Sequence, residues 1–200
     1  MRKFLTLILL QILFVQCTSD ANELSKKERD HAITELSRSK KNLLNTIDGL
    51  SDEQLHFKSD ETSWSIAECI EHLTLFVDEV FVILEESLAL PASPERRKDV
   101  KFSDEELMAL VQDRTNKTKT QEEFEPNNMY GDQAETISMY KDKLEKHIDY
   151  LQNTNDDLRN HFVNFGTVDA YQIFLYMAAH TNRHIEQINE IKNNINFPNN

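Results

Sequence analysis

Two histidines, His180 and His184, interrupt a stripe that otherwise reads Ile173, Met177, Ile188, Ile191 at steps of three and four residues. That spacing traces one face of a helix, and residues four apart lie one turn above each other, about 6 Å along the axis. Both imidazoles can therefore reach one point. Two neutral rings with unpaired nitrogens are unfavourable in an apolar core, and a shared metal ion removes that penalty. His72 offers a third ligand. It lies on the arc of Cys69 and Phe76, three residues after the one and four before the other, and so points inward from a different helix. Three histidines that leave positions open for water or substrate are the arrangement of catalytic zinc, whereas structural zinc sites close all four positions with protein ligands. Ni(II) and Fe(II) also accept imidazole, so the residues specify one divalent transition metal (Zn, Ni or Fe) without choosing among them.

Plainer readings stand beside this one. A histidine pair four apart is by itself a weak signal, and its weight comes from the apolar stripe and the third inward histidine. His31, His56, His147 and His161 lack that context and read as surface or boundary residues. Cys69 reads as a small core residue rather than a ligand. Among groups that could move a proton near an ion, Tyr176 precedes His180 by four residues, and Glu71 and Glu68 sit on the helix of His72. Their structural readings are a tyrosine at a bundle interface and glutamates at solvated or capping positions. Gln187 follows His184 by three residues and could orient a ligand from behind; Arg183 reads as the partner of an acidic neighbour.

The elements that must carry these residues are long helices. Only three glycines and four prolines punctuate 200 residues, and no stretch alternates with the period of a strand. The first helix is expected from about Leu24 to Ile47, with Ile33, Leu36, Leu43, Leu44 and Ile47 inward and Gly49 as its stop. Ser51 and Gln54 have capping-box spacing for a single turn. Ser65 and Glu68 form a second box, with Trp64 placed to pack back as a staple, and open a helix running from Ile66 to Leu90 before Pro91 and Pro94. Residues 92–128 are charged and mixed, with a short helix expected after Ser103 and Glu106. Helices over about 133–153 and 167–194 complete an all-α four-helix bundle.

The first seventeen residues belong to something else. Arg2 and Lys3 precede an apolar run from Phe4 to Val15, too short for a bilayer-spanning helix of about 20 residues but suited to a signal peptide. The run ends in Leu13-Phe14-Val15-Gln16-Cys17, which resembles a bacterial lipoprotein processing site, although Gln16 stands where a small residue is usual and Phe14 where leucine is. That resemblance implies lipid on Cys17, a tether over residues 18–25 and one domain over 26–195, exported and anchored at the cell envelope. Cys69 is then the only cysteine left, so no intrachain disulfide is available. The formal charge of −13 becomes more negative when Arg2 and Lys3 leave with the leader. Such a surface repels phosphate backbones and anionic lipid, which excludes nucleic acid as a partner and leaves the lipid anchor as the means of membrane attachment.

Two segments carry a further resemblance. Trp64-Ser65-Ile66-Ala67-Glu68-Cys69-Ile70-Glu71-His72-Leu73 and Ala179-His180-Thr181-Asn182-Arg183-His184-Ile185-Glu186-Gln187-Ile188 are similar to the paired signature segments of the DinB-like superfamily, and Ser51-Asp52-Glu53-Gln54-Leu55 also fits. The resemblance spans about residues 28–191. It implies an up-down-down-up bundle with a long crossover over residues 92–128, and the three histidines as metal ligands. It also implies a metal-dependent hydrolase or a thiol-dependent S-transferase. Thiol cofactors are scarce outside the cytoplasm, so the leader tilts the expectation towards a hydrolase acting on a small molecule. A metal-holding binding module without turnover, compatible with dimerisation through bundle faces, stays open beside both.

Overall fold

The computed structural model describes residues 23–115, 119–163 and 168–199. The expected leader, Cys17 and the tether as far as residue 22 lie outside them. The described residues form six α-helices: α1 Lys26–Ile47, α2 Asp52–His56, α3 Ile66–Leu88, α4 Asp104–Gln112, α5 Gln133–Asn153 and α6 Ala170–Lys192. Each opens with a reciprocal capping box, on Ser25, Ser51, Ser65, Ser103, Asp132 and Asp169. These caps satisfy amide groups that have no partner inside the helix. They also set the ends: α1 begins at Lys26 because Ser25 Oγ accepts from Glu28 N and Glu28 returns a carboxylate to Ser25 N. Likewise α6 begins at Ala170, after the Asp169 cap, rather than at Thr167. Gly49 ends the turn after α1 with φ +71°, a left-handed backbone that glycine adopts without steric penalty.

Pair contacts give each long helix its direction. Arg29 near the start of α1 donates to the Leu151 carbonyl at the end of α5, so those two run antiparallel. Tyr171 Oη donates to the Glu28 carbonyl at one end of the α1–α6 pair, and Lys192 Nζ to the Thr46 carbonyl at the other, so that pair is parallel. Along α3 and α5, Asp78 meets Lys143 and Phe81 meets His147 and Tyr150, which makes them parallel too. On α3 and α6, Phe76 meets Tyr176 while His72 meets His184, so these are antiparallel. The chain is thus an up-down-down-up bundle in which α1 and α3 each pack on both α5 and α6. Because α3 and α5 point the same way, residues 89–132 must return along the length of the bundle before α5 can start. Within that return, α4 packs on α6, and a 3-10 turn at Glu122–Phe124 packs on α3.

The inward stripes carry the core. Leu36, Leu73, Leu144 and Phe174 are fully buried, one from each long helix, and each such side chain contributes about 1.5–3 kcal/mol relative to exposure. His147 departs from the expectation of a surface position. It lies one turn after Leu144 on the same arc and is buried with its ring 4.3 Å from that of Phe81 and nearly parallel to it. At the end where α1 and α6 begin, Arg159 binds Glu28, Asp104 and Asp169 at 2.9, 2.6 and 3.0 Å and covers the Tyr171 ring at 3.9 Å. That cluster ties α1, α4 and α6 together.

Candidate metal centre

His72 sits in the second turn of α3, and His180 and His184 sit at and just past the middle of the antiparallel α6. One donor nitrogen from each lies within 4.8 Å of the other two, and His72 Nε2 is 3.0 Å from His180 Nε2. Two nitrogens bound to one tetrahedral ion at 2.0–2.1 Å stand about 3.3 Å apart, so the spacing suits a shared cation. His72 and His184 are buried and His180 is partly exposed.

The protonation pattern also fits. His72 Nδ1 lies 2.8 Å from the Phe124 carbonyl. A carbonyl only accepts, so Nδ1 carries the proton and Nε2 keeps a lone pair towards the other two rings. His184 Nδ1 is buried with no hydrogen-bond partner among the described residues, the kind of orphaned polar atom that needs an explanation in a packed interior. Loss of water around the rings pushes all three imidazoles below their ordinary pKa. At His180 the neighbouring His72 and Arg183 add to this, and at His184 the other two histidines do, followed by Arg114 and Arg183. The set is therefore neutral at neutral pH, the form a metal requires.

Aromatic rings enclose it. Phe76 stands 4.1 Å from His180, Trp64 stands 4.9 Å from His72 and 6.2 Å from His184, and Phe124 stands 6.5 Å from His72. Tyr176 stacks on Phe76 with its ring 6.0 Å from that of His180, and burial raises its phenol above the ordinary value. Glu68 closes the cap of α3 and pairs with Lys58 at 2.7 Å. Burial raises its carboxyl, but Lys58 and Ser65 outweigh this and hold it below the usual range. Glu71 turns to the crossover, where it accepts from two backbone amides. Gln187 accepts from Arg114 Nη1 at 3.2 Å, and Arg183 donates to the Asp113 carbonyl. Cys69 is wholly buried, its thiol pushed up to about 12 by that burial, and it is outside the histidine cluster.

Sequence reasoning missed two participants. Trp64 carried a signal, being the sole tryptophan and next to a cap, but its ring goes to the histidines as well as to the core. The Phe124 carbonyl carried none, since every residue has one.

Comparison with known proteins places this geometry in context. The sequence profile of the DinB superfamily matches residues 35–188. A Bacillus subtilis relative, the uncharacterized protein YuaE, is 28% identical over 156 residues, covering 76% of this chain and 91% of its own. Among solved structures, YfiT from Bacillus subtilis superposes with a TM-score of 0.58 at 16% identity, over 88% of this chain and 91% of that one. YfiT is described as a probable metal-dependent hydrolase with an unusual four-helix bundle topology; at this identity the likeness establishes the shared fold.

Proposed function

The chain belongs to the DinB superfamily, and from that premise we propose that His72, His180 and His184 hold one divalent transition metal ion with which the protein hydrolyses a small molecule. The observation that carries this reading is the convergence of three neutral imidazoles from two antiparallel helices, with the His72 proton already committed to Phe124 and a buried His184 nitrogen without a partner among the described residues. The description of YfiT as a probable metal-dependent hydrolase supports it. A divalent cation bound there supplies a Lewis acid that polarises an electrophile and makes water a competent nucleophile near neutral pH. The chain's own part is to present three lone pairs, to surround them with apolar rings that strengthen charge interactions, and to offer Tyr176 at the edge of the site as a hydrogen-bonding group. Export through residues 1–17 with lipid on Cys17 belongs to the same proposal, and puts the site outside the cytoplasm.

Metal content by mass spectrometry, on protein prepared without a chelating tag, tests the ligand set. About one equivalent of transition metal is expected, lost in His72→Ala, His180→Ala and His184→Ala while helicity persists. A folded wild-type protein that stays metal-free after reconstitution would sink the reading. With metal established, turnover of ester, amide or phosphoester probes separates a hydrolase from an ion-holding module, and turnover that appears only with added thiol would move the assignment to a transferase.

A further inference from the structure

Glu71 is only 7% exposed, yet it sits beside His72 and points away from the histidine cluster's own partners, into the crossover. Its Oε1 accepts from the backbone amides of Asn127 at 3.1 Å and Met129 at 2.9 Å. The residue between them, Asn128, has φ +62°. A left-handed residue there turns two alternate amides towards one side, the concave anion-binding arrangement known as a nest. Asparagine tolerates that backbone, whereas a β-branched residue is strained in it. Three residues before Asn127, the Phe124 carbonyl receives the Nδ1 proton of His72. One turn of α3 thus grips the crossover twice, through two consecutive side chains.

We propose that Glu71 is a positioning residue for the metal centre: its carboxylate, seated in the Asn127–Met129 nest, fixes the crossover so that the Phe124 carbonyl holds His72 with Nδ1 protonated and Nε2 facing His180. This rests on the metal-site reading above for its purpose, but the hydrogen-bond geometry stands without it. Glu71 acts through its acceptor oxygen and not as a base. A side-chain amide offers the same oxygen, so Glu71→Gln keeps both amide bonds and Glu71→Ala loses them.

Two readouts on the full-length protein test this. In the metal-free protein with isotope-labelled histidine, two-bond proton–nitrogen correlations report the tautomer of His72. Wild type and Glu71→Gln are expected to show the Nδ1–H form, and Glu71→Ala a mixture of the two tautomers. In the second, competition with a chelator for Zn(II) gives affinity. Glu71→Ala is expected to bind about 10–100-fold more weakly, the usual consequence of removing a partner that orients a ligand, with Glu71→Gln within about threefold of wild type. Asn128→Val should reproduce Glu71→Ala by opening the nest from its other side. An unchanged His72 tautomer in a folded Glu71→Ala protein overturns the proposal. So does a Glu71→Gln protein as impaired as the alanine variant, which would assign the effect to charge. A wild type that binds no Zn(II) defeats the metal reading alone, and the tautomer experiment then still decides the role of Glu71.

Discussion

His147 is an imidazole buried in this bundle without a cluster to join. Burial, with Lys143 and Lys146 nearby and only Asp78 opposing, lowers its pKa from about 6.5 to about 4, and its Nδ1 has no partner among the described residues. A depressed histidine stabilises the fold in its neutral form. Its contribution is whole above about pH 6.5 and is lost as pH falls towards 4, because the unfolded chain takes up the proton first. The full span is on the order of 3 kcal/mol. Denaturant unfolding from neutral to mildly acid pH should therefore show a shallower loss of stability in His147→Gln than in wild type; parallel curves would mean that His147 titrates normally. Trp64 provides a second prediction at this scale. It is the sole tryptophan and lies against two of the three proposed ligands, so Co(II) or Ni(II) should quench its fluorescence stoichiometrically in wild type and not in His184→Ala.

Among the elements, α6 depends most on a single cap. Asp169 is fully buried, accepts from Gln172 N at 2.8 Å, and is bridged by Arg97 at 2.5 Å and Arg159 at 3.0 Å. Burial raises its carboxyl above the ordinary value despite those partners. Asp169→Ala removes the cap and leaves Arg159 short of one counter-charge, so a loss of about 3–5 kcal/mol is expected by thermal or urea unfolding. Asp169→Asn, which can still cap, should lose less. This scale is also where the sequence was most legible. Apolar stripes and capping boxes are read within one or two turns, so α3 starts where Ser65–Glu68 implies and α5 covers the expected 133–153. The inward places of His72, His180 and His184 followed from the same periodicity. What could not be read depends on distant chain: the Phe124 carbonyl reaches His72 from 52 residues away, and the Glu71 nest exists only after the crossover has folded back. Even His147 could have been read from its arc with Tyr140, Leu144 and Leu151, had its polarity not argued against the core.

For the molecule as a whole, the proposed leader is the part whose consequence is easiest to test. Full-length protein should fractionate with membranes, and Cys17→Ser should release it; an unchanged membrane fraction would mean that the apolar segment itself, and not a lipid, holds the chain. No helix among the described residues is long and apolar enough to span a bilayer.

The parallel run of α1 and α6 sets the distance between the start of the domain and the candidate metal site. Tyr171, beside the start of α1, and His184 are thirteen residues apart on one helix, about 20 Å along its axis. With the proposed anchor at the N-terminus, the Arg159 cluster lies nearer the point of attachment and the histidines further along the bundle. Under the proposed anchor, that spacing would hold the candidate site away from the attachment point, within reach of dissolved molecules.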